Sequence, residues 1–426
     1  MVKSILRLLP AIAFIVGMAQ ANNPVTLRIT CGTNGKNYEL CRRAVKDWSD
    51  KTGVKVEVIS NPTTTNGLAY LLQILSAKSS DVDVMMLDTV WPGILSTHLV
   101  DLTKLLTDEE KLEFFASLIN NNVVNGKLVA IPWYTDIGLL YYRKDLLEKY
   151  NKPVPKTWHE LTETARFIQN QERAAGNQKI YGLVVQGKAM ECLTCNAYEW
   201  MVSFGGGSLI NEQGLDINKP NAVKALKLVS SWVDDISPRG VLNANQEDNR
   251  GVFQSGNAVF MRNWPYAWSL VNSNSPVQGK VGIAPLPKGG EEGVSAGVIG
   301  GWQLAVSKYS KHPEQAKELL KYLVSAKVQK MRALESNYLP SRPALYKDAD
   351  ILKKLPHITM ILEALKTGVA RPAKYVEAGH YNRFSLAYAQ IVHRALSGKD
   401  KPEDAVANME SKLGGILDRA KKANRR

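Results

Sequence analysis

The order of predicted strands and helices near the start of the chain constrains its fold more than any other sequence feature. Alternating apolar residues predict strands, and apolar residues three and four apart predict helices. The pattern predicts, in order, a strand at 25–32, a helix at 38–53, a strand at 54–60, a helix at 66–80 and a strand at 82–88. This order is typical of doubly wound α/β sheets. Ligands bind such sheets at the carboxyl ends of strands, where Asp88 lies. The alternative role for Asp88 is to cap the helix that follows.

The first twenty-one residues predict a cleavable secretory signal. Basic residues precede a short apolar run at 8–18, and 19-AQA-21 supplies the small residues expected before cleavage at Asn22. The apolar run is too short to span a bilayer. The small-residue box that precedes a lipid-modified cysteine is missing before Cys31. We therefore expect a periplasmic protein without a lipid anchor.

The length that remains predicts two domains. Removal of the signal leaves 405 of the 426 residues, which is more than one hydrophobic core usually supports. After a change of pattern at 128–135, the sequence predicts helices at 157–176, 196–206, 220–236 and 248–261, strands at 180–185 and 281–287, and a return of the chain at 297–307. We expect one lobe from 22–130 and 298–342, and a second from 131–297 and 343–426. Lobes joined by several strands can hinge.

The basic charge does not predict nucleic-acid binding. The formal net charge of +14 falls to +12 when the two basic residues of the signal leave. Acidic and basic residues alternate within helices such as 311–332, which is typical of a solvated helix face. A basic block occurs only at the tail, 421–426. Nucleic-acid binding would require clustered basic residues on one face.

Four cysteines in an exported chain are expected to form disulfides. Their spacing favours a pair of Cys31 with Cys41 and a pair of Cys192 with Cys195. The alternative for 192-CLTC-195 is a redox or zinc motif. Zinc needs four ligands, and the six histidines are scattered without ligand spacing. We therefore predict a structural clip near a pocket rim, with no metal and no cofactor.

Four separate segments place aromatic residues beside small or polar ones. They are 88-DTVW-91, 133-WYTD-136, 263-NWPYAW-268 and 299-IGGW-302. One such segment is weak evidence, because Trp and Tyr more often fill cores. A glycine pair before a tryptophan, however, lets a ligand approach the backbone closely. Aromatic planes suit the C–H face of a sugar ring, and carboxylates suit its hydroxyl groups. The combination predicts a sugar site.

Longer segments carry a resemblance to a known family. They are 81-DVDVMMLDTVWPG-93, 132-PWYTDIGLLYYRKDLLEKY-150, 195-CNAYEW-200, 263-NWPYAW-268, 300-GGWQLAVSKYSKHPEQA-316 and 369-VARP-372. With them the chain resembles the solute-binding proteins of bacterial ABC sugar importers, in particular the maltose-binding type and its subgroup for trehalose, maltose and related disaccharides. The resemblance covers essentially the whole mature chain.

This resemblance implies a two-lobed α/β protein of the type II periplasmic-binding fold, each lobe a mostly parallel sheet flanked by helices. The cleft between the lobes closes on a disaccharide, with trehalose favoured, and the closed form docks on a membrane permease driven by a separate ATPase chain. It also implies a monomer without catalytic activity. A chemoreceptor is a further possible partner.

The resemblance also implies roles for individual residues. It places Asp88, Tyr134 and Asp136 as binders of sugar hydroxyls. The stacking platforms are Trp264, Tyr266 and Trp302, with a backbone contact from Gly301. Arg371 is expected to bond hydroxyls from the far lobe.

Two positions depart from the family pattern. Asn37 stands where relatives usually carry a glutamate that binds the sugar, and Gly67 stands where they usually carry an arginine. An Arg-plus-Glu clamp on one glucose is therefore absent or rebuilt. Loss of such a charge-assisted bond typically costs about 1.5–3 kcal/mol. The sequence accordingly constrains the class of ligand more than it constrains which disaccharide is preferred.

Two alternative functions fit parts of the sequence. Asp88 and Asp136 could act as the carboxylate pair of a secreted glycosidase. A solute-binding protein for another sugar, a polyol, an amino acid, a peptide or a metal ion is the second alternative. The sequence contains no GxxxxGK[ST], which excludes the P-loop ATPases that carry this motif.

Overall fold

A computed structural model describes residues 25–61, 65–376 and 380–424. The predicted signal at 1–21 lies outside the described residues. Fifteen strands occur in the described part of the chain: β1 Thr26–Gly32, β2 Lys55–Asn61, β3 Val84–Asp88, β4 Val123–Val124, β5 Lys127–Leu128, β6 Ile131–Ile137, β7 Leu139–Arg143, β8 Tyr181–Val184, β9 Leu209–Asn211, β10 Gly214–Asp216, β11 Ala258–Asn263, β12 Val281–Pro285, β13 Val298–Val306, β14 Leu339–Pro340 and β15 Val369–Ala370.

Seventeen α-helices and four short 3₁₀ helices occur in the same described ranges. The α-helices are α1 Asn37–Thr52, α2 Thr65–Ser76, α3 Pro92–Leu95, α4 Asp108–Leu112, α5 Ala116–Asn121, α6 Lys144–Lys149, α7 Trp158–Ala174, α8 Glu191–Ser203, α9 Lys219–Ser230, α10 Gln246–Gln254, α11 Ala267–Val271, α12 Pro313–Leu323, α13 Ala326–Ser336, α14 Ala349–Lys354, α15 Ile358–Thr367, α16 Tyr381–Leu396 and α17 Pro402–Asn424. The 3₁₀ helices are Ser96–His98, Arg239–Asn243, Pro343–Lys347 and Pro372–Tyr375. Among these helices none is both long enough and apolar enough to span a membrane.

The larger sheet forms the first lobe, with strand order β14–β6–β13–β3–β1–β2, and β15 pairs with the start of β13. β1 is parallel to β2 and β3, as the alternating strand and helix order predicts. β13 is antiparallel to both β3 and β6. The sheet is therefore mixed instead of mostly parallel, because β6 and β13 carry the chain between the lobes in opposite directions.

The smaller sheet forms the second lobe, with strand order β12–β7–β11–β8. Helices α7 and α10 pack on β8 and β11, and α8 packs against α9 and α16. β8 is parallel to β11, whereas β7 is antiparallel to both β11 and β12. Each lobe thus consists of a mixed sheet with helices packed against it.

The chain first crosses between the sheets at Gly138, which separates β6 from β7. Residues 131–137 pair within the larger sheet, although the sequence analysis assigned them to the second lobe. The aromatic residues within this strand gave no indication in the sequence of where the strand ends. The following strand, 139–143, pairs in the smaller sheet.

One predicted helix is wrong. The segment 248–261 does not form a single helix, but the end of α10 and most of β11. The helix ends at Gln254, just before Ser255, Gly256 and Asn257, which disfavour a helix interior. The residues that follow, 258-AVFM-261, include Val and Phe, which favour strands.

The two predicted disulfides have different outcomes. Cys31 of β1 and Cys41 of α1 form the predicted bond, with their Cα atoms 6.4 Å apart. Cys192 and Cys195 do not form theirs; both are free and buried inside α8. Residues three apart in a helix hold their Cβ atoms about 5–6 Å apart, and a disulfide needs about 3.5–4.5 Å. The structural clip predicted at this site is therefore wrong.

Candidate functional site

A cavity lies between the two sheets and holds about 550 Å³ of empty space, part of it open to solvent at its mouth. Both lobes contribute to its wall. The residues predicted from the sequence that line it are Asp88, Tyr134, Asp136, Trp264, Tyr266, Gly301, Trp302 and Arg371. The structure thus brings eight of the nine predicted binding residues together around one space.

The strand register explains why three of them meet. Trp302 of β13 is paired with Asp88 of β3 on one side and with Tyr134 of β6 on the other. These residues form one row across three neighbouring strands. The aspartate, indole and phenol side chains come from distant parts of the chain and are adjacent because β13 lies between β3 and β6.

Gly301 lies where β13 approaches β6 most closely. Its φ angle is +130°, and a Cβ atom at this position would lie 2.6 Å from the carbonyl oxygen of Tyr134. Only glycine adopts this conformation without strain. The Gly301 carbonyl accepts the N–H of Thr89 at 3.1 Å. The local backbone is therefore specified by the glycine that the sequence analysis singled out.

The aromatic side chains of the cavity come from both lobes. Trp302 is 8% exposed and packs edge-on against Trp91, with ring centroids 5.6 Å apart. Tyr266 of the second lobe stacks on Tyr338 of the first, with centroids 6.2 Å apart and planes within 12°. Trp264 is half-buried. Aromatic surfaces from both lobes thus face the same space.

Asp136 is a buried carboxylate that lacks a bonded partner for one of its oxygens. The residue is 6% exposed, and its Oδ1 has no hydrogen-bond partner among the described residues. Burial raises its pKa to about 8, and the nearby Asp88 adds to the rise, whereas Arg262 and Arg332 oppose it. A buried carboxylate without donors is costly. A ligand that donates hydrogen bonds to it would remove this cost.

Arg371 joins carboxylates from the two lobes. Its Nη2 donates to Asp88 at 2.7 Å, and its Nη1 donates to Glu191, at the start of α8, at 2.7 Å. Glu191 also accepts from Tyr381 at 2.8 Å and from Ser385 at 2.6 Å. Asp88 also accepts the N–H of Val90 at 3.1 Å. It does not cap α3, whose N-cap residue is Trp91 and which has no side-chain cap, so the alternative role predicted for Asp88 is wrong.

Asn37 is the predicted site residue that does not line the cavity. It is 1% exposed and lies behind Tyr134, whose hydroxyl is 3.5 Å from its Nδ2. Its Oδ1 accepts from Arg332 at 2.7 Å. The guanidinium of Arg332 in turn lies 4.0 Å from the ring centroid of Trp133 and 4.9 Å from that of Tyr134. Asn37 therefore supports a wall of the cavity from behind.

Two further residues of the sequence analysis lie away from the cavity wall. Trp133 is fully buried in the core. Gly67 lies in the first turn of α2. The aromatic composition of 133-WYTD-136 therefore serves two purposes, because alternate residues of β6 face opposite sides of the sheet.

Sequence reasoning missed several residues that line the cavity. Glu191 was overlooked because α8 was predicted to begin at 196, although an acidic residue at a helix start is a known signal. Tyr338 lies directly after an asparagine at the end of α13, so it has the same combination of an aromatic and a polar residue as the four aromatic segments. Gln246 gave no signal; its Oε1 is buried without a partner in the described ranges. The thiols of Cys192 and Cys195 also line the wall, and burial raises the pKa of Cys192 to about 12.

The arrangement is a cleft between two lobes, and a known family has the same sequence pattern. The family model of bacterial extracellular solute-binding proteins matches residues 36–330. The chain belongs to this family. The family membership of this solute-binding protein implies a location outside the cytoplasmic membrane.

Two relatives resemble the solute-binding protein over nearly its whole length, and a third resembles it over part of its length. A probable ABC transporter-binding protein of Deinococcus radiodurans is 43% identical over 406 residues, which are 94% of this chain and 96% of that protein. The structure of maltose-bound T. maritima MalE3 is 38% identical, has a TM-score of 0.87, and covers 92% of this chain and 100% of that one. The maltodextrin-binding protein MdxE of Bacillus subtilis is 28% identical over 274 residues, 59% of this chain and 58% of that protein.

These findings confirm three predictions from the sequence. The solute-binding protein has the two-lobed fold of the maltose-binding type. Its resemblance to the binding proteins of ABC sugar importers is confirmed. It is also not an enzyme, because its relatives are substrate-binding components of transporters, which excludes the glycosidase alternative.

Proposed function

We propose that the protein captures a disaccharide of the trehalose, maltose and sucrose type in the interlobe cavity and delivers it to an ABC importer by hinge closure. Trehalose is the favoured ligand within this class. The maltose bound to T. maritima MalE3, at 38% identity, supports the class of ligand.

One observation carries the proposal: the buried carboxylate of Asp136 faces a cavity lined by aromatic rings and lacks a protein donor for its Oδ1 in the described chain. A ligand for such a site must bring hydrogen-bond donors and flat apolar faces together. A pyranose has both. An amino acid would need an exposed cation for its carboxylate, and Arg371 is already paired with Asp88 and Glu191.

The proposed roles follow from the positions of the side chains. Asp88, Tyr134 and Asp136 bind hydroxyls from the first lobe. Trp264, Tyr266 and Trp302 stack on the sugar rings, and the backbone at Gly301 supplies a polar contact. Arg371 binds from the side of the second lobe. Asn37 acts through Tyr134 and does not contact the sugar.

The remaining features of the proposal concern export and partners. Residues 1–21 are proposed to direct export and to be removed, leaving a periplasmic monomer without a lipid anchor. The lobes are proposed to comprise 22–130 with 298–342 and 131–297 with 343–426, except that residues 131–137, which pair in the larger sheet, belong to the first lobe. The partner is a permease with a separate ATPase chain, and a chemoreceptor is a second proposed partner.

Calorimetric titration of the mature protein tests the proposal. We expect heat with trehalose, maltose or sucrose. The expected dissociation constant is near micromolar, which corresponds to a binding free energy on the order of −8 kcal/mol. Asp136→Asn should weaken that binding by about 1.5–3 kcal/mol, because it removes a charged acceptor. Asp145→Asn is the matched control, since Asp145 pairs with Arg143 away from the cavity. Binding of an amino acid or peptide without any sugar response would refute the proposal.

A further inference from the structure

Two of the connections between the lobes lie side by side at Gly138. The chain passes from β6 into β7 through this residue, and its N–H donates to the carbonyl of Val298 at 3.1 Å. Val298 is the first residue of β13, which carries the chain back into the larger sheet. Any change in the angle between the lobes must therefore change the backbone at or beside these two residues.

A buried ion pair packs directly against this crossing. Arg262 of β11 donates from Nε to Glu199 of α8 at 2.8 Å, and its Nη2 contacts the other carboxylate oxygen. Both side chains are fully buried. Glu199 also accepts the N–H of Val298 at 3.0 Å. The pair thus links the smaller sheet to the strand that enters the larger one.

The crossing is shaped around this pair. A Cβ atom at Gly138 would overlap the Glu199 carboxylate and lie 2.5 Å from Arg262 Nη2. The pair therefore occupies the space that any other residue at position 138 would need. Removal of one partner of a buried pair leaves the other charge without compensation, so the two side chains act as a unit.

The same guanidinium contacts an aromatic residue of the cavity. The Arg262 guanidinium carbon lies 4.0 Å from the ring centroid of Trp264. A cation over one face of an indole is attracted to it and holds the ring in place. Neither Arg262 nor Glu199 lines the cavity. Trp264 is therefore connected through Arg262 and Glu199 to Val298.

We propose that Glu199 and Arg262 are positioning residues that couple the stacking of a sugar on Trp264 to the crossing between the lobes. A movement of β13 relative to the smaller lobe would lengthen or break the hydrogen bond from Val298 to Glu199. A sugar that holds Trp264 in place favours the position of β13 that keeps this bond, because it stabilises the Arg262 and Glu199 contacts that depend on it. This inference rests on the proposed function and deepens it, since it concerns how the same site responds to its ligand.

Arg262→Met tests the coupling, because it removes the guanidinium and keeps a side chain of similar length. The matched control is Arg143→Met. Arg143 forms a bidentate pair with Asp145 in the same sheet, away from the cavity. Two quantities are measured: the dissociation constant for maltose, and hydrogen exchange of peptides from the sugar-free protein.

We expect Arg262→Met to raise the dissociation constant for maltose about ten-fold and to speed exchange at the peptide that contains Val298. Arg143→Met should leave both unchanged. An Arg262→Met protein with wild-type affinity would overturn the inference. So would faster exchange spread evenly over both sheets, because that result indicates a purely structural pair.

A second variant decides the question if Arg262→Met does not fold. Arg262→Lys keeps the charge but loses the planar contact with Trp264 and the paired donors to Glu199. We expect a smaller loss of affinity and a shift in the Trp264 fluorescence, identified by comparison with Trp264→Phe. Unchanged affinity and unchanged emission would contradict the coupling. If the wild-type protein binds no sugar, the proposed function fails. Faster exchange at Val298 in Arg262→Met would then still support the link from Arg262 to the crossing, and unchanged exchange there would refute it.

Discussion

At the scale of single residues, Asp136 is a carboxylate whose surroundings differ strongly from water. It is buried between aromatic rings, close to Asp88, and the two cations that oppose its charge are engaged elsewhere: Arg262 with Glu199, and Arg332 with Asn37. Its pKa is therefore about 8, against an ordinary value of 3.8. Below pH 8 the sugar-free protein mostly keeps the proton on this residue.

The pKa of Asp136 predicts opposite pH trends for stability and for sugar affinity. Because the folded pKa is raised, the contribution of Asp136 to stability is full below pH 3.8 and is lost as pH rises toward 8. Sugar hydroxyls donate to the charged form, so binding releases a proton, and affinity should rise with pH up to about 8. Calorimetry in buffers of different ionisation enthalpy measures this release. Asp136→Asn should show no buffer dependence, and a proton release that persists in this variant would assign it to another group.

Trp302 is predicted to contribute a large share of the binding energy. Trp302→Ala should weaken sugar binding by about 2–4 kcal/mol, because it removes a buried aromatic anchor. The side chain also packs on Trp91, so the free energy of unfolding should fall as well. Titration of the folded protein measures the affinity, and Phe167→Ala, which alters an aromatic residue that is 41% exposed, is the control. Equal affinities for wild type and Trp302→Ala would show that Trp302 does not contribute to sugar binding.

The sequence identified the residues that lie directly beside Gly, Pro, Asn or Asp, because these combinations are unusual in a core. It could not identify Glu191, which joins the site only through the packing of α8. Nor could it place Asn37 behind Tyr134, because the depth of a side chain depends on neighbours such as Arg332 that are 295 residues away.

At the scale of elements, β13 organises the site. It lies between β3 and β6 and brings Trp302 beside Asp88 and Tyr134. The strand and the helix predictions for 25–88 were confirmed, since local periodicity is strong there. The antiparallel pairing of β13 was not predictable, because it depends on contacts between segments more than 160 residues apart. The error at 248–261 arose where apolar residues spaced as in a helix continued into a strand.

The backbone of β13 at Gly301 gives a prediction at the scale of this element. Gly301→Ala should lower the free energy of unfolding by about 1–3 kcal/mol, because the new Cβ would meet the Tyr134 carbonyl at a positive φ. Sugar affinity should fall too. Gly240→Ala is the control, since a Cβ there meets no atom within 4 Å. Chemical unfolding measures the stabilities, and equal losses for both variants would show that the site tolerates a side chain.

At the scale of the whole molecule, the two lobes enclose the proposed ligand, so binding and stability are linked. Trehalose or maltose at about one hundred times its dissociation constant should raise the free energy of unfolding by about 2.7 kcal/mol. Thermal unfolding with and without the sugar measures this effect. Asp136→Asn should show a smaller rise at the same sugar concentration. A transition temperature that does not depend on sugar would contradict the predicted binding.

The position of β13 also has a consequence for the order in which the chain is made. This strand lies at the centre of the larger sheet, yet it begins at residue 298 of 426. During synthesis, β1, β2 and β3 therefore emerge long before the strand that joins them to β6. Domains complete their folding only when their last central segment is present. The first lobe consequently remains incomplete until residue 306, more than two thirds of the way along the polypeptide, has left the ribosome.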